Sequence, residues 1–293
     1  MNVSASASSP PRASGAAKLA KRILACVIAW SLCALPSADD ASADELRSVA
    51  GSGECSRLLA EPKPMVQKAL DGSAIRILSW NVKKGQDTDW ARDLEALAGN
   101  KDLILIQEAT RAMGQGRLPE HTGFWSFAEG YRTRRMVSGV ATASRAQPLS
   151  RCRLTATEPW LRSPKATMIT EFALRDTRRT LLVVNTHMVN FSVGNGAFGA
   201  QLRAIEAVLE AHPGPAVLSG DFNTWRAARR ELLSELAGRL RMQPVRFETD
   251  YRSRFFGAAV DHVYVSGLKI VDAQTHRVGS SDHNPLTVTV SLH

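Results

Sequence analysis

Leu218-Ser219-Gly220-Asp221-Phe222-Asn223-Thr224, entered from the apolar run Pro215-Ala216-Val217-Leu218, reads as a short buried strand that meets a glycine and then presents a carboxylate and an amide two residues apart. Residues i and i+2 of an extended backbone face the same way. Asp221 and Asn223 are therefore expected to project together from the strand's C-terminal end, where open α/β sheets bind ligands. An acid that takes a proton beside an amide that donates hydrogen bonds suits hydrolysis of an anionic ester. By itself Asp-x-Asn after a strand is more often a turn or a helix cap. The weight comes from the rest of the chain.

Upstream of this stretch, Gln201 to Leu209 is amphipathic, with Leu202, Ile205, Val208 and Leu209 on one stripe, and Pro213-Gly214-Pro215 stops it. Thr167 to Leu174 and Thr180 to Asn185 read as a hairpin pair around the polar turn Arg175 to Arg179. Gly123 to Phe127 and Gly139 to Ala143 are weaker strand candidates. Ile75 to Trp80 alternates as a strand, Trp90 to Ala98 has helical spacing, and Leu103 to Ile106 is a buried strand. Downstream, Ala227 to Leu240 reads as a basic helix, and Val260 to Val265, Leu268 to Ala273 and Leu286 to Leu292 as closing strands. Many strands with a few helices between them and no internal repeat indicate one mixed α/β domain.

The N-terminus has a different character. Arg12, Lys18, Lys21 and Arg22 precede the 14-residue apolar run Ile23 to Pro36, and Ala41-Ser42-Ala43 follows as a small-x-small site. That is the layout of a secretory signal peptide over 1–43; the run is short for a membrane span, which needs about 20 residues. The alternative is an uncleaved inner-membrane anchor, and either fate places the domain in the periplasm or outside the cell. Residues 44–72 read as a lead-in segment, with ordered structure over 73–293. Removing 1–43 takes away four basic and two acidic residues, lowering the net charge from +9 to +7. Such a balance suits a polyanionic partner, nucleic acid or an acidic membrane, and equally ordinary solubility. Cys55 and Cys152 remain and are able to pair in an oxidising compartment if the fold brings them together.

Other chemistry-bearing residues also sit at strand ends. Asn81 ends one, Glu108 another in Gln107-Glu108, and His187 a third in Asn185-Thr186-His187. Asp261 starts a strand, and Asp282-His283 precede the last one. Singly, a strand-end carboxylate is usually solvated and a lone histidine structural. On one shared rim they would offer hard oxygen ligands, a histidine and an amide, a set that fits Mg²⁺ (or Mn²⁺) and a phosphate. Zinc is disfavoured, because there is no cysteine pair and no His-x-x-x-His.

The collinear series Trp80-Asn81, Gln107-Glu108, Asn185-Thr186-His187, Gly220-Asp221-Phe222-Asn223, Asp261-His262 and Ser281-Asp282-His283-Asn284-Pro285 resembles the endonuclease/exonuclease/phosphatase superfamily. That superfamily includes pancreatic-type DNases, AP endonucleases, neutral sphingomyelinases and inositol-phosphate phosphatases. Asn185-Thr186-His187-Met188-Val189-Asn190-Phe191-Ser192 and Val245-Arg246-Phe247 look most like its bacterial YafD-like branch. The resemblance implies a four-layer α/β/β/α sandwich of two packed mixed β-sheets with outer helices. It also implies that Glu108 binds magnesium with Asn81 close by and Asp282 helping. Asp221 would orient or deprotonate the attacking water, and Asn223 would donate to the phosphate. His283 would contact the phosphate or act as acid or base, Asp261 would hold the His283 ring, and His187 would bind a phosphate oxygen.

Lys165 precedes a strand where relatives often place a basic residue near the phosphate, and is equally a solvated loop lysine. Asn190 is a second candidate for phosphate contact and equally a turn residue. Asn81-Val82-Lys83-Lys84-Gly85 departs from the Asn-Gly-Leu-Arg of AP endonucleases, and His187 stands where those carry Tyr, so a repair role is disfavoured. Arginines cluster at 132–135, 175–179, 226–230 and 252–254; the second cluster reads as a hairpin tip. Trp160 and Phe255-Phe256 are able to stack on bases, enter lipid or fill a core. The expectation is an exported, monomeric, Mg²⁺-dependent phosphodiesterase without a protein partner, nucleic acid being the first-choice substrate because the chain is basic. A phospholipid or inositol-phosphate hydrolase is the alternative, favoured if a hydrophobic loop borders the site. A non-catalytic phosphate-binding module is the third reading.

Overall fold

The computed structural model describes residues 48–292 apart from 64, 65, 117, 118, 120, 160 and 193. The targeting segment expected over 1–43 and the aromatic Trp160 lie outside the described residues. Glu45–His293 forms one compact unit with its own hydrophobic cores, as a self-sufficient folding unit requires.

In chain order the elements are β1 (Ser48–Ala50), α1 (Ser52–Ala60), β2 (Ile75–Asn81), α2 (Trp90–Ala98), β3 (Leu103–Thr110), β4 (Phe124–Arg132), β5 (Val137–Ser144), β6 (Pro148–Thr157), β7 (Pro164–Ala173), β8 (Thr180–His187) and α3 (Gly196–Glu210). They continue with β9 (Ala216–Asp221), α4 (Ala227–Arg239), β10 (Gln243–Pro244), the short pair β11 (Arg254–Phe255) and β12 (Ala258–Ala259), then β13 (Asp261–Ser266), β14 (Leu268–Thr275) and β15 (Leu286–Leu292). A seven-stranded sheet has the order β1-β6-β7-β8-β9-β13-β10, and a six-stranded sheet the order β14-β15-β2-β3-β5-β4. Both are mixed: β8–β9 and β2–β3 run parallel, while β9–β13 and β15–β2 run antiparallel.

Strand parity sorts the apolar side chains into layers. Ile75 and Ile77 of β2 and Leu103 and Leu105 of β3 meet Leu181 and Val183 of β8 and Val217 of β9 in the core between the sheets. The alternate residues Leu78, Trp80, Ile104 and Ile106 face outward onto Trp90, Leu94 and Ala98 of α2. Leu182, Val184 and Leu218 face the other way, onto Leu58 of α1, Phe198, Leu202 and Ile205 of α3 and Leu233 of α4. Strands buried on both faces need apolar side chains at both parities, which is why these runs lack polar alternation. The result is the four-layer α/β/β/α sandwich.

Ordered structure begins earlier than Ser73. Within the segment read as a lead-in, β1 pairs in parallel with β6, α1 packs on the sheet, and Leu70 bridges to Leu174. The signal for α1 was present in Cys55, Leu58 and Leu59 at helical spacing, all buried, but Gly51-Ser52-Gly53 masked it as loop. Cys55 and Cys152 are brought together between α1 and β6 as buried free thiols. The hydrogen bond that the Cys152 S–H makes to Cys55, and then burial, push the Cys152 thiol up.

Two backbone features shape the strand ends. A bulge between Ile106 and Ala109 puts Glu108 in the left-handed region, with φ 50°, which re-aims its side chain out of the pleat. Gly220 has φ 147°, and a Cβ there would lie 1.9 Å from the Thr186 carbonyl oxygen on the neighbouring strand. Only glycine fits between β8 and β9 at this point. Gly220→Ala is expected to destabilise the protein by about 3 kcal/mol or more, read from urea unfolding; a loss within about 0.5 kcal/mol would contradict this packing.

Candidate active site

The inner rows of the sandwich change character toward one end. Ile77, Leu105, Val183 and Val217 give way along their own strands to Ser79, Gln107, Asn185 and Ser219, all buried. Gln107 Nε2 donates to Asn185 Oδ1 across the sheets (2.7 Å), and Asn185 Nδ2 donates to the Ala141 carbonyl (2.8 Å). One step further the same rows end in Asn81, His187 and Asp221. His187 and Asp261 both lie in register with Asp221. Because β13 runs antiparallel to β9, its first residue sits on the rim where β8 and β9 end.

Asp221 is the meeting point. Its Oδ2 accepts a hydrogen bond from Asn81 Nδ2 of the opposite sheet (3.0 Å) and lies 3.4 Å from His187 Nε2 and 3.7 Å from His283 Nε2. Its Oδ1 accepts from the Asn223 backbone N–H (3.0 Å). His283 Nδ1 faces Asp261 Oδ2 at 2.8 Å. The loop carrying His283 is pinned to β2: Trp80 Nε1 donates to the His283 carbonyl (2.8 Å), and Ser281 Oγ donates to the Asn81 carbonyl (2.7 Å). Lys165 Nζ donates to His187 Nε2 at 3.0 Å.

Burial sets the charges. Removal from water, reinforced by Asp261, pushes Asp221 up to about 6 despite the nearby His283, Lys165 and Asn223 N–H. Burial alone would depress His283, but the Asp261 and Asp221 carboxylates, with the hydrogen bond from the ring to Asp261, outweigh it and hold the ring up at about 10. His187 goes the other way: burial, then the charges of Lys165, His283 and Lys84, keep it well below the ordinary imidazole range. At neutral pH the rim therefore holds a carboxylate poised as a base, an imidazolium and a neutral imidazole.

A model of the Endonuclease/Exonuclease/phosphatase family matches residues 78–283, which span every residue of this cluster. The chain belongs to that family. Within it, a UPF0294 protein of Vibrio parahaemolyticus is 34% identical over 231 residues, covering 77% of this chain and 81% of the relative. A UPF0294 protein of Klebsiella pneumoniae is 37% identical over 224 residues, covering 74% and 82%. Among solved structures, the human Nocturnin catalytic domain with bound sulfate superposes with a TM-score of 0.59 at 16% identity, covering 77% of this chain and 96% of that one; that likeness concerns the fold alone.

The divalent cation implied by the family has two sets of donors to choose from. Asp221, Asp261 and His283 offer ligand atoms within 4.8 Å of one another, but the His283 ring is cationic and its Nδ1 is committed to Asp261. Glu108 offers a carboxylate that already attracts a cation, the Lys84 ammonium. It shares a cavity of about 160 Å³ with Lys84, Lys165 and His187. Asn81 ends the neighbouring strand in register with Gln107, and its Oδ1 accepts the Lys83 N–H (3.0 Å); the hard carboxylate oxygens of Glu108 fit magnesium or manganese.

The remaining expected residues fall into place unevenly. Asp282 is half-exposed with Lys83 Nζ at 3.6 Å, on the same loop as His283. The chain does not stay extended past Asp221: Asn223 has φ 51°, and its Nδ2 donates to the Met188 carbonyl (3.0 Å). The shared i, i+2 direction expected for Asp221 and Asn223 is thus replaced by a side-chain-to-backbone turn, which both residue types favour. Asn190 Oδ1 accepts from Trp225 Nε1 (2.8 Å), and its N–H donates to Glu158 (2.7 Å), so its recorded partners are those of a loop brace.

Two supporting residues escaped notice in the sequence. Arg229, counted there among the basic clusters, is fully buried. Its Nη1 donates to the Val189 and Asn223 carbonyls (both 3.0 Å) and its Nη2 to the Asn190 carbonyl (2.7 Å), tying the loops after β8 and β9 together. Glu158, also buried, accepts from the Asn190 and Phe191 N–H groups and lies 4.0 Å from Lys165. No local pattern marks either, because burial of a charge depends on the chain packed around it.

The raised His283 pKa has a consequence for stability. Above the ordinary value of about 6.5 the unfolded ring is neutral, while the folded ring keeps its proton until about 10. The folded state then binds more protons, so this group's contribution to stability falls as pH rises across that window. Thermal melts with EDTA from pH 6.5 to 10 are expected to show that slope, and His283→Gln to flatten it; equal slopes in the two proteins would contradict the assignment.

Proposed function

We propose that this protein hydrolyses phosphodiesters with a divalent cation, by in-line attack of water. The observation that carries the reading is the convergence of Asn81, His187 and His283 on Asp221, from both sheets and the last loop. Glu108, with Asn81 and Asp282 as the further expected ligands, would hold a magnesium or manganese ion, which would act as a Lewis acid on a phosphate oxygen. Everything else falls to the chain's own groups. Asp221, with a pKa near 6, is a base matched to neutral pH and would take the proton of the attacking water. The His283 imidazolium, held by Asp261 and charged well above neutral pH, would neutralise charge growing on the phosphate or protonate the departing oxygen. The Lys165 ammonium, held by His187 Nε2, would meet another phosphate oxygen beside the His187 ring, and the Asn223 amide would add a donor.

The N-terminal sequence supports export. Arg252, whose Nη1 donates to the Asp261 carbonyl at the rim (3.3 Å), and the net positive charge of the chain call for an anionic partner, which nucleic acid and an acidic membrane both satisfy.

The test uses bis-p-nitrophenyl phosphate and supercoiled plasmid in parallel, with Mg²⁺, Mn²⁺ or EDTA. Turnover of the small diester is expected to need a divalent cation. Asp221→Asn should lower kcat by roughly 10³-fold and His283→Ala by roughly 10²-fold or more, with KM little changed. Glu108→Gln should raise the concentration of Mg²⁺ needed for half-maximal rate. Turnover that survives EDTA, or an Asp221→Asn protein as fast as the parent, would sink the mechanism.

A further inference from the structure

Seven large apolar side chains are exposed among the described residues: Tyr131, Leu161, Phe191, Tyr251, Phe255, Phe256 and Val271. Six of them gather around the mouth of the candidate site. Tyr131 lines the cavity that holds Glu108, Lys165 and His187. Leu161 is in the loop that starts at Glu158, the carboxylate that holds the backbone of Asn190 and Phe191. Asn190 in turn holds Trp225, whose ring lies 5.5 Å from that of Phe256. Phe255 lies 6.4 Å from the His283 ring. The Tyr251 carbonyl accepts from Asn284, the residue after His283. Only Val271, on the edge strand β14, stands apart.

The hairpin β11–β12 shows that this exposure is not incidental. Its register, Arg254 with Ala259 and Phe255 with Ala258, leaves Phe256-Gly257 as a two-residue turn. Both turn residues have positive φ, 48° and 77°, a conformation for which Asn-Gly is the preferred pair. A bulky aromatic there is an outlier, and Phe256 is also 87% exposed. Neither backbone preference nor burial explains it, and strain of this kind gathers at functional surfaces.

The surroundings are cationic. Arg230, Arg252 and Arg254 line a cavity of about 450 Å³ with Phe256 and His262; Arg252 and Arg254 share the Asp250 carboxylate (both 2.8 Å), so the three carry a net positive charge beside it. Arg226 stacks over Trp225 at 4.5 Å, and Arg162 follows Leu161. Loop tips bearing apolar groups within a ring of arginines match the surface of an anionic bilayer, where the apolar tips enter the headgroup region and the cations meet lipid phosphates. A single-strand groove would instead lay aromatic rings along a track; here Phe191, Tyr131 and the Phe255-Phe256 hairpin belong to different segments, and Leu161 has no face on which to stack a base. Among the described residues no helix is long and apolar enough to cross a membrane.

We propose that the mouth of the site docks on an anionic phospholipid surface through Phe256, Leu161 and Phe191, and, resting on the phosphoesterase reading, that the diester it meets there is a phospholipid headgroup. Phe256→Asn separates this from a structural role, since it installs the preferred turn pair while removing the apolar tip.

The experiment compares the parent and Phe256→Asn forms of residues 45–293 in co-sedimentation with phosphatidylglycerol or phosphatidylcholine vesicles at about 0.1 M salt, with a single-stranded oligonucleotide as competitor. Turnover of bis-p-nitrophenyl phosphate and of vesicle phosphatidylglycerol is followed alongside. The parent should bind phosphatidylglycerol at least about tenfold more tightly than phosphatidylcholine, and Phe256→Asn should weaken that binding about tenfold or more. The variant should melt no lower than the parent, keep its turnover of the soluble diester and lose turnover of the vesicle lipid. Failure of the parent to sediment with either vesicle, equal binding by parent and variant, or preferential oligonucleotide binding that Phe256→Asn weakens would overturn the docking surface. No turnover of the soluble diester by the parent would overturn the phosphoesterase reading, and with it the headgroup as substrate, while the vesicle result alone decides the docking.

Discussion

A carboxylate buried between two sheets must be compensated or neutralised, and Asp221 is where this fold meets that demand. Its compensation comes from three separate parts of the chain: the Asn81 amide at the end of β2, the His283 imidazolium on the last loop, and the Asn223 N–H beyond β9. None of these groups is near the others in sequence. Asp261 adds a second buried carboxylate in register with the first, and the charge on His283 is shared between the two. The two sheets, the bulge at Glu108 and the glycine at 220 all serve to bring these termini to one level.

The approach to the site is graded. Along the inner rows, aliphatic side chains give way to Ser79, Gln107, Asn185 and Ser219 before any charge appears. The Gln107–Asn185 hydrogen bond crosses between the sheets where a wholly apolar layer would leave sliding unopposed. Buried amide pairs of this kind are costly if left half-satisfied, so they fix the register of one sheet on the other. Beyond the strands, the work passes to two buried ions. Arg229 holds three carbonyls of the loops after β8 and β9, and Glu158 holds the N–H groups of Asn190 and Phe191. Loops that carry functional groups are rarely stiff by themselves; here they are clamped by these charges as well as by the buried Met188, Val189 and Phe222.

Much of the layer structure was legible in the chain. The runs at 103–108, 180–187 and 215–221 are apolar at both parities, 75–81 alternates at its start, and all four end in Asn, Glu, His or Asp, so the strands and their polar ends are a local property. Helical spacing marked α2 and the second half of α3 and a basic run marked α4, while in α1 small residues hid a short apolar stripe. Less was legible where the backbone leaves its regular course. The left-handed turn at Asn223 replaced an expected extended pair, because Asp221 captures the Asn223 N–H. Arginines 226 to 230 read as one basic cluster, yet Arg229 is buried and bonded to backbone while its neighbours face solvent. Burial is a property of what packs on a residue, and two of the three carbonyls that Arg229 holds, Val189 and Asn190, lie 40 and 39 positions away in the chain.

By itself the sequence determined which residue types stand at the strand ends, in what order, and that their strands are buried on both faces; it also determined the family, through motifs that are short and local. The tertiary structure alone decided that β13 enters antiparallel and so delivers Asp261 to the rim where other strands finish. It alone decided that Asp221 is raised and His187 depressed, since both shifts come from burial before any neighbour, and that Phe256 stands on a strained turn beside the site. Strand register, desolvation and exposure are set by contacts between distant segments, and no window of sequence contains them.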